Sequence, residues 1–107
     1  MIEVDDLRNL ESQLRNSKRV LALFYASWCP YCRSFIEVFN EVAPKSGFDL
    51  ALRVRIDHYD NSLWEEYSIA AVPTILFFDE GKVSRRLDCK FGAGLSEKQF
   101  KEWIGRT

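Results

Sequence analysis

No apolar run in this chain approaches the ~20 residues that a membrane-spanning helix needs, and the longest, Val20 to Ala26, has the length of a buried strand. Nor is there an excess of one charge. Fifteen Lys and Arg stand against 16 Asp and Glu, a formal charge of −1, which leaves no global field to hold nucleic acid or an anionic membrane surface. A soluble chain that recognises its partners locally is therefore expected. The segment Met1 to Leu10 mixes acids and bases where a secretory leader puts a cationic end before ~7–15 apolar residues, so nothing asks for export and a cytoplasmic location is expected. Histidine occurs once, as His58, and the three cysteines are an odd number. A disulfide-stapled framework is not indicated, and Cys29, Cys32, His58 and Cys89 follow no compact zinc-ligand spacing. Repeats, linkers and low-complexity segments are missing as well. What is present is 47% hydrophobic and 14% aromatic residues in a length of 107, enough to close one core as a single domain, 1–107.

Residues 5 to 16 set Leu7, Leu10 and Leu14 at helical spacing behind Asp5 or Asp6 as cap, which predicts an amphipathic helix. Val20 to Ala26 is apolar without alternation, as expected of a strand covered on both faces in the middle of a sheet. From Pro30 the pattern turns helical, with Phe35, Ile36, Phe39 and Val42 on one side and Pro44 and Gly47 as stops. Leu50, Leu52, Val54 and Ile56 alternate with Ala51, Arg53, Arg55 and Asp57 as a second strand, and a short helix is expected over Ser62 to Tyr67. Thr74 to Phe78 is a third strand, turned at Asp79-Glu80-Gly81-Lys82 into an edge strand from Val83 to Phe91. Ser96 caps a last helix carrying Glu97, Phe100, Trp103 and Ile104. Helical crossovers imply parallel neighbours and the hairpin an antiparallel edge. The class is therefore α/β, with one central mixed sheet flanked by helices on both faces. Its site should lie at the carboxyl end of the parallel strands, where Val20–Ala26 gives way to the helix carrying Cys29.

Cys29 and Cys32 form a C-x-x-C pair at that helix's first turn. Free backbone N–H groups and the positive end of the helix dipole favour negative sulfur there, and cysteines so placed titrate at ~3.5–7.5 rather than ~8.5. Cys29 is thus expected to be the thiolate. Cys32, three residues on and facing inward, can reach the same sulfur and resolve a mixed disulfide formed on it. Trp28 and Pro30 are expected to shield one side and leave Cys29 accessible, with Tyr31 exposed as a contact to substrate.

Phe24-Tyr25-Ala26-Ser27-Trp28-Cys29-Pro30-Tyr31-Cys32 and Ala71-Val72-Pro73-Thr74 resemble the active-site and cis-proline segments of the thioredoxin superfamily. The likeness runs over essentially the whole chain, through the Ile56-Asp57 strand end, the hairpin at Gly81 and the Gly92-Ala93 break. It implies a thioredoxin-like fold, with Pro73 preceded by a cis peptide and facing the cysteines. The Val72 backbone would pair with an extended substrate segment, and Gly92 would close the third side of the groove. Two departures stand out. Leu23 occupies the place of the buried carboxylate thought to relay the proton of the second cysteine. Arg53 stands where its basic partner does, either as electrostatic support for the thiols or as an arginine snorkelling from a half-buried strand. The Pro30-Tyr31 dipeptide is similar to that of glutaredoxins, without the double glycine and acidic pair with which those proteins hold glutathione.

Cys89 reads as a half-buried small hydrophobe beside Leu87 and Phe91, or else as a regulatory thiol. Lys82, Arg85, Arg86 and Lys90 read as a basic strip guarding an edge strand, with an acidic docking partner as the other reading. The leading expectation is a cytosolic, monomeric protein-disulfide reductase without cofactor or metal, in which Cys29 attacks and Cys32 resolves. Its substrates would be protein disulfides, and an electron-donating reductase or a small thiol would recycle it. The alternatives are a glutaredoxin-like exchange with glutathione, and a redox-inert or metal-bridging module on the same fold.

Overall fold

A computed structural model describes residues 1–107. Its elements are β1 (Ile2–Val4), α1 (Leu7–Asn16), β2 (Arg19–Tyr25), α2 (Pro30–Val42) with a 3₁₀ turn at Ala43–Lys45, β3 (Leu50–Arg55), α3 (Leu63–Glu66), β4 (Thr74–Asp79), β5 (Lys82–Asp88) and α4 (Glu97–Ile104). The sheet order is β1-β3-β2-β4-β5. The run without alternation does occupy the centre: β2 lies parallel to β3 and antiparallel to β4, and Val20 to Phe24 are buried.

Helix ends follow their caps. The Asp6 side chain accepts from the Asn9 N–H, and Ser96 and Gln99 form a reciprocal capping box on α4. The two faces of the sheet are covered by different layers. α2 and α4 meet through Phe35, Phe39 and Phe100, with ring centroids 5.4 and 5.7 Å apart. On the other side Tyr67, next to α3, packs edge-on against Phe78 at 5.4 Å and against Phe24 at 5.7 Å. A continuous core of 27 buried residues joins these layers through the sheet.

Three expectations are corrected. β1 was not foreseen: it adds a parallel edge to β3, with Ile2 opposite Leu52 and Val4 opposite Val54, and three residues are too few to display a period. The connection through α3 does not return a parallel neighbour of β3. It passes to the far side of β2, where β4 pairs antiparallel, since a single four-residue turn of helix is not a full crossover unit. Finally, β5 ends at Asp88 rather than at Phe91. Beyond it Lys90 and Gly94 make only an isolated bridge, so Cys89 and Phe91 share no strand face, and Phe91 is 92% exposed.

Two of the four side chains of the expected basic strip, Arg85 and Arg86, are engaged within the molecule. Arg85 lies 5.0 Å over the Trp103 ring and donates to the Trp103 carbonyl at 3.2 Å. Arg86, facing the opposite way, donates to the Tyr67 and Ser68 carbonyls at 3.0 and 3.2 Å and pairs with Asp88. These two arginines are clamps to α4 and to the loop after α3 rather than free charges for an acidic partner.

Candidate active site

The cysteine pair stands where β2 runs into α2. Cys29 is the N-cap of the helix: its Sγ accepts from the Cys32 N–H at 3.3 Å, and Pro30 takes the first helical position, where a missing N–H costs nothing. The reactive sulfur is thereby tied to the first turn of the helix. On its other side the Cys29 thiol lies 3.7 Å from the Val72 carbonyl, to which it donates. The Val72–Pro73 peptide is cis, as the resemblance implies, and Pro73 is buried. Both thiols are free.

Their environments differ. Cys29 is 5% exposed at the floor of a groove, less open than expected, while Cys32 is fully buried. Burial pushes the Cys32 thiol well up, and its hydrogen bond with Cys29 adds to this. Leu23, at the position where the resemblance puts a carboxylate, lies fully buried on β2, between Arg53 of β3 and Ile75 of β4 in register. Arg53 does not turn to the thiols. Its Nε lies 3.2 Å from the Glu3 carboxylate, though outside hydrogen-bonding geometry, and its Nη1 donates to Asn40 Oδ1 at 3.3 Å. The Tyr25 hydroxyl donates to the same Glu3 carboxylate. Because β1 brings Glu3 to this edge, the contacts of the guanidinium are with Glu3 and Asn40.

The loop before Cys29 is anchored by Asp57, just past β3, which the sequence showed only as a strand end. Its carboxylate accepts from the Ser27 N–H and hydroxyl, each at 2.7 Å, and its carbonyl accepts from the Trp28 indole N–H at 2.7 Å. Partial burial works against the charge on Asp57, but the two Ser27 bonds outweigh it and hold the carboxyl below its ordinary range.

Around Cys29 the structure brings together Trp28, Pro30, Tyr31, Val72 and Gly92, five of the expected substrate contacts, in a groove of about 250 Å³. It adds Tyr59, Trp64 and Phe91, none of which was expected at the site. Gly92 has φ +76 and open space at its Cβ position. Gly94 is the closer approach, because a Cβ there would lie 2.9 Å from Cδ1 of Tyr31. Cys89 is half-buried, and burial and the neighbouring Cys29 push its thiol up. No three His, Cys, Asp or Glu side chains gather as a set able to hold a metal, and no helix is long and apolar enough to cross a membrane.

Two thiols at a helix N-terminus, one at the floor of an apolar groove and the other sealed beneath it, make a dithiol that can open and reclose as a disulfide, and this defines the class: a thiol-disulfide exchange protein. Comparison with known proteins agrees. The Thioredoxin family model matches residues 2–105. A thioredoxin of Mycoplasmoides gallisepticum is 32% identical over 84 residues, 78% of this chain and 83% of that protein. Thioredoxin H3 of Arabidopsis thaliana is 32% identical over 81 residues, 75% and 68% of the two chains. The X-ray structure of Fasciola hepatica thioredoxin superposes with a TM-score of 0.81 at 25% identity, over 99% of this chain and 98% of that one. Protein disulfide-isomerase 1 of Caenorhabditis elegans is 30% identical over 100 residues, but the chain spans only 19% of its length. The chain belongs to the thioredoxin family and is a thioredoxin-type thiol-disulfide oxidoreductase. Membership implies protein disulfides as substrates and a reductase as electron source.

Proposed function

We propose that the chain is a protein-disulfide reductase in which Cys29 attacks and Cys32 resolves. The observation that carries this reading is the asymmetry of the pair: the Cys29 sulfur accepts an N–H at the helix terminus on the groove floor, whereas Cys32 is buried and held as a thiol. The Cys29 thiolate attacks one sulfur of a substrate disulfide, forming a Cys29–substrate disulfide while the other substrate sulfur leaves as thiolate and takes up a proton. Cys32 then loses its proton, attacks the Cys29 sulfur and releases the second substrate thiol, so that two electrons pass to the substrate and a Cys29–Cys32 disulfide remains. A reductase or a small thiol returns the pair to the dithiol. Trp28, Pro30, Tyr31, Val72, Pro73 and Gly92 bind the substrate segment around Cys29. An odd number of cysteines with no spacing for a disulfide framework suits the cytoplasm, and the unit acts as a monomer of one domain.

Cys32→Ser should accumulate a mixed disulfide through Cys29 that dithiothreitol releases, while Cys29→Ser should trap nothing. Equal trapping by both variants overturns the assignment. The Pro30-Tyr31 dipeptide, similar to that of glutaredoxins, supports a second reading in which glutathione is the electron donor. Insulin reduction coupled to a thioredoxin reductase or to glutathione and its reductase separates the two.

A further inference from the structure

From the walls of the groove we infer that this protein selects disulfides in extended segments carrying a large apolar side chain two residues from the cysteine, with Tyr59 and Phe91 as specificity-determining residues. The inference rests on the reading of Cys29 as the attacking thiol and goes beyond it to the substrate class.

One wall is a built aromatic ladder. The indole N–H groups of Trp28 and Trp64 donate to the consecutive carbonyls of Asp57 and His58 at 2.7 and 3.0 Å. Between them stands Tyr59, with ring centroids 5.7 Å from Trp28 and 5.0 Å from Trp64. Because both indoles spend their only donor inside the protein, what they offer outward is ring carbon. Their orientation is fixed before any ligand arrives, which removes an ordering cost from binding. Tyr59 is nevertheless 74% exposed.

Tyr31 and Phe91 line the same groove. Tyr31 is seated against the bare Cα of Gly94, and Phe91, at the tip of the loop after β5, has no cover of its own. No Asp, Glu, Lys, Arg or His lines the groove. A charged side chain placed against these rings would lose water without a salt-bridge partner among them, whereas an apolar one gains burial. Side chains two apart on an extended segment share a face. When a substrate cysteine points at Cys29, the residues two positions away therefore point at these walls.

The test uses the chain of residues 1–107 and cyclic disulfide peptides differing only at the positions two residues from one cysteine, where they carry Phe, Ser or Arg. Partial burial of one large apolar side chain predicts kcat/KM about tenfold higher for the Phe peptide than for the Ser peptide. In a Tyr59→Ser/Phe91→Ser double variant that ratio should fall below about twofold. Both positions are solvent-exposed, and the denaturant midpoint checks that folding is unchanged. Using a ratio within each protein cancels differences in active concentration. A wild-type ratio near one, a ratio retained by the double variant, or preference for the Arg peptide over the Phe peptide through the ring faces overturns the inference. If no peptide is reduced at all, the reductase reading fails first, so the two failures are distinguishable.

Discussion

Leu23→Asp would place a carboxylate on the central strand where the thioredoxin resemblance puts a buried acid, in register between Arg53 and Ile75. Removing a fully buried leucine costs about 2–5 kcal/mol, and an ionised carboxylate buried without a partner costs several kcal/mol more. Arg53 is the adjacent cation, but it is already held by Glu3 and Asn40, so pairing with the new acid would take it from Glu3. Against a total stability of about 5–15 kcal/mol, the variant should fold with a much lower denaturant midpoint. Its kinetics should move the other way. In the wild type Cys32 is held as a thiol, and its small thiolate fraction grows tenfold per pH unit. Release of thionitrobenzoate from a pre-formed Cys29 adduct should therefore accelerate nearly tenfold per unit between about pH 6 and pH 9. An internal base should make release near neutral pH about tenfold faster and flatten the profile. Leu23→Asn, with the same loss of apolar contact and no base, isolates the proton transfer from the packing change. Stopped-flow absorbance measures all three proteins. A wild-type profile already flat over this range, or a folded Asp variant that releases no faster than the Asn variant, refutes the reasoning.

Further perturbations bear on neighbouring parts of the site. Because native Cys32 keeps a proton that the unfolded chain gives up, its stabilisation is whole below the ordinary value of 9.0 and is lost as pH rises above it. The urea midpoint of the reduced protein should fall above about pH 9, and Cys32→Ser should lessen that fall. Asp57 has the opposite sign: its carboxyl is held low, so its contribution is present above 3.8 and is lost as pH falls below that value. An Asp57→Asn variant should show a flatter acid limb in the same titration, and an unchanged limb would remove Asp57 as its source. Gly94→Ala, at φ +68 with its Cβ 2.9 Å from Tyr31, should cost about 1–3 kcal/mol. Part of that loss should return in a Tyr31→Ala background, and strict additivity in a double-mutant cycle would deny the contact.

The sequence was most legible where one short signal has one physical meaning. A C-x-x-C after an apolar run, with proline at the next position, marks a cysteine at a helix N-terminus, and Ser96 ahead of Glu97 marks the start of α4 just as directly. Legibility failed where the outcome depends on a partner distant in the chain. Arg53 was expected near the thiols because nothing local reveals that β1 brings Glu3 beside it. The end of β5 was misplaced because Cys89, Lys90 and Phe91 keep the composition of a strand while the chain turns away to bridge Lys90 with Gly94. Tyr59 and Trp64 carry no spacing signal, and only the two indole bonds to neighbouring carbonyls turn them into a wall. Asp57 was legible only as a strand end because its partner, Ser27, is 30 residues away.

Outward-facing arginines on a final strand would leave that strand free to peel away. Arg85 and Arg86 instead bind it to the helical layers on opposite sides, one to α4 and the other to the backbone of Tyr67 and Ser68, a few residues before Val72. Detaching β5 therefore breaks bonds in both layers at once, and the segment that carries the carbonyl facing Cys29 loosens with it. The edge of the sheet is by this device part of one cooperative unit with the groove, and slow opening at the periphery is felt as disorder at the reacting sulfur.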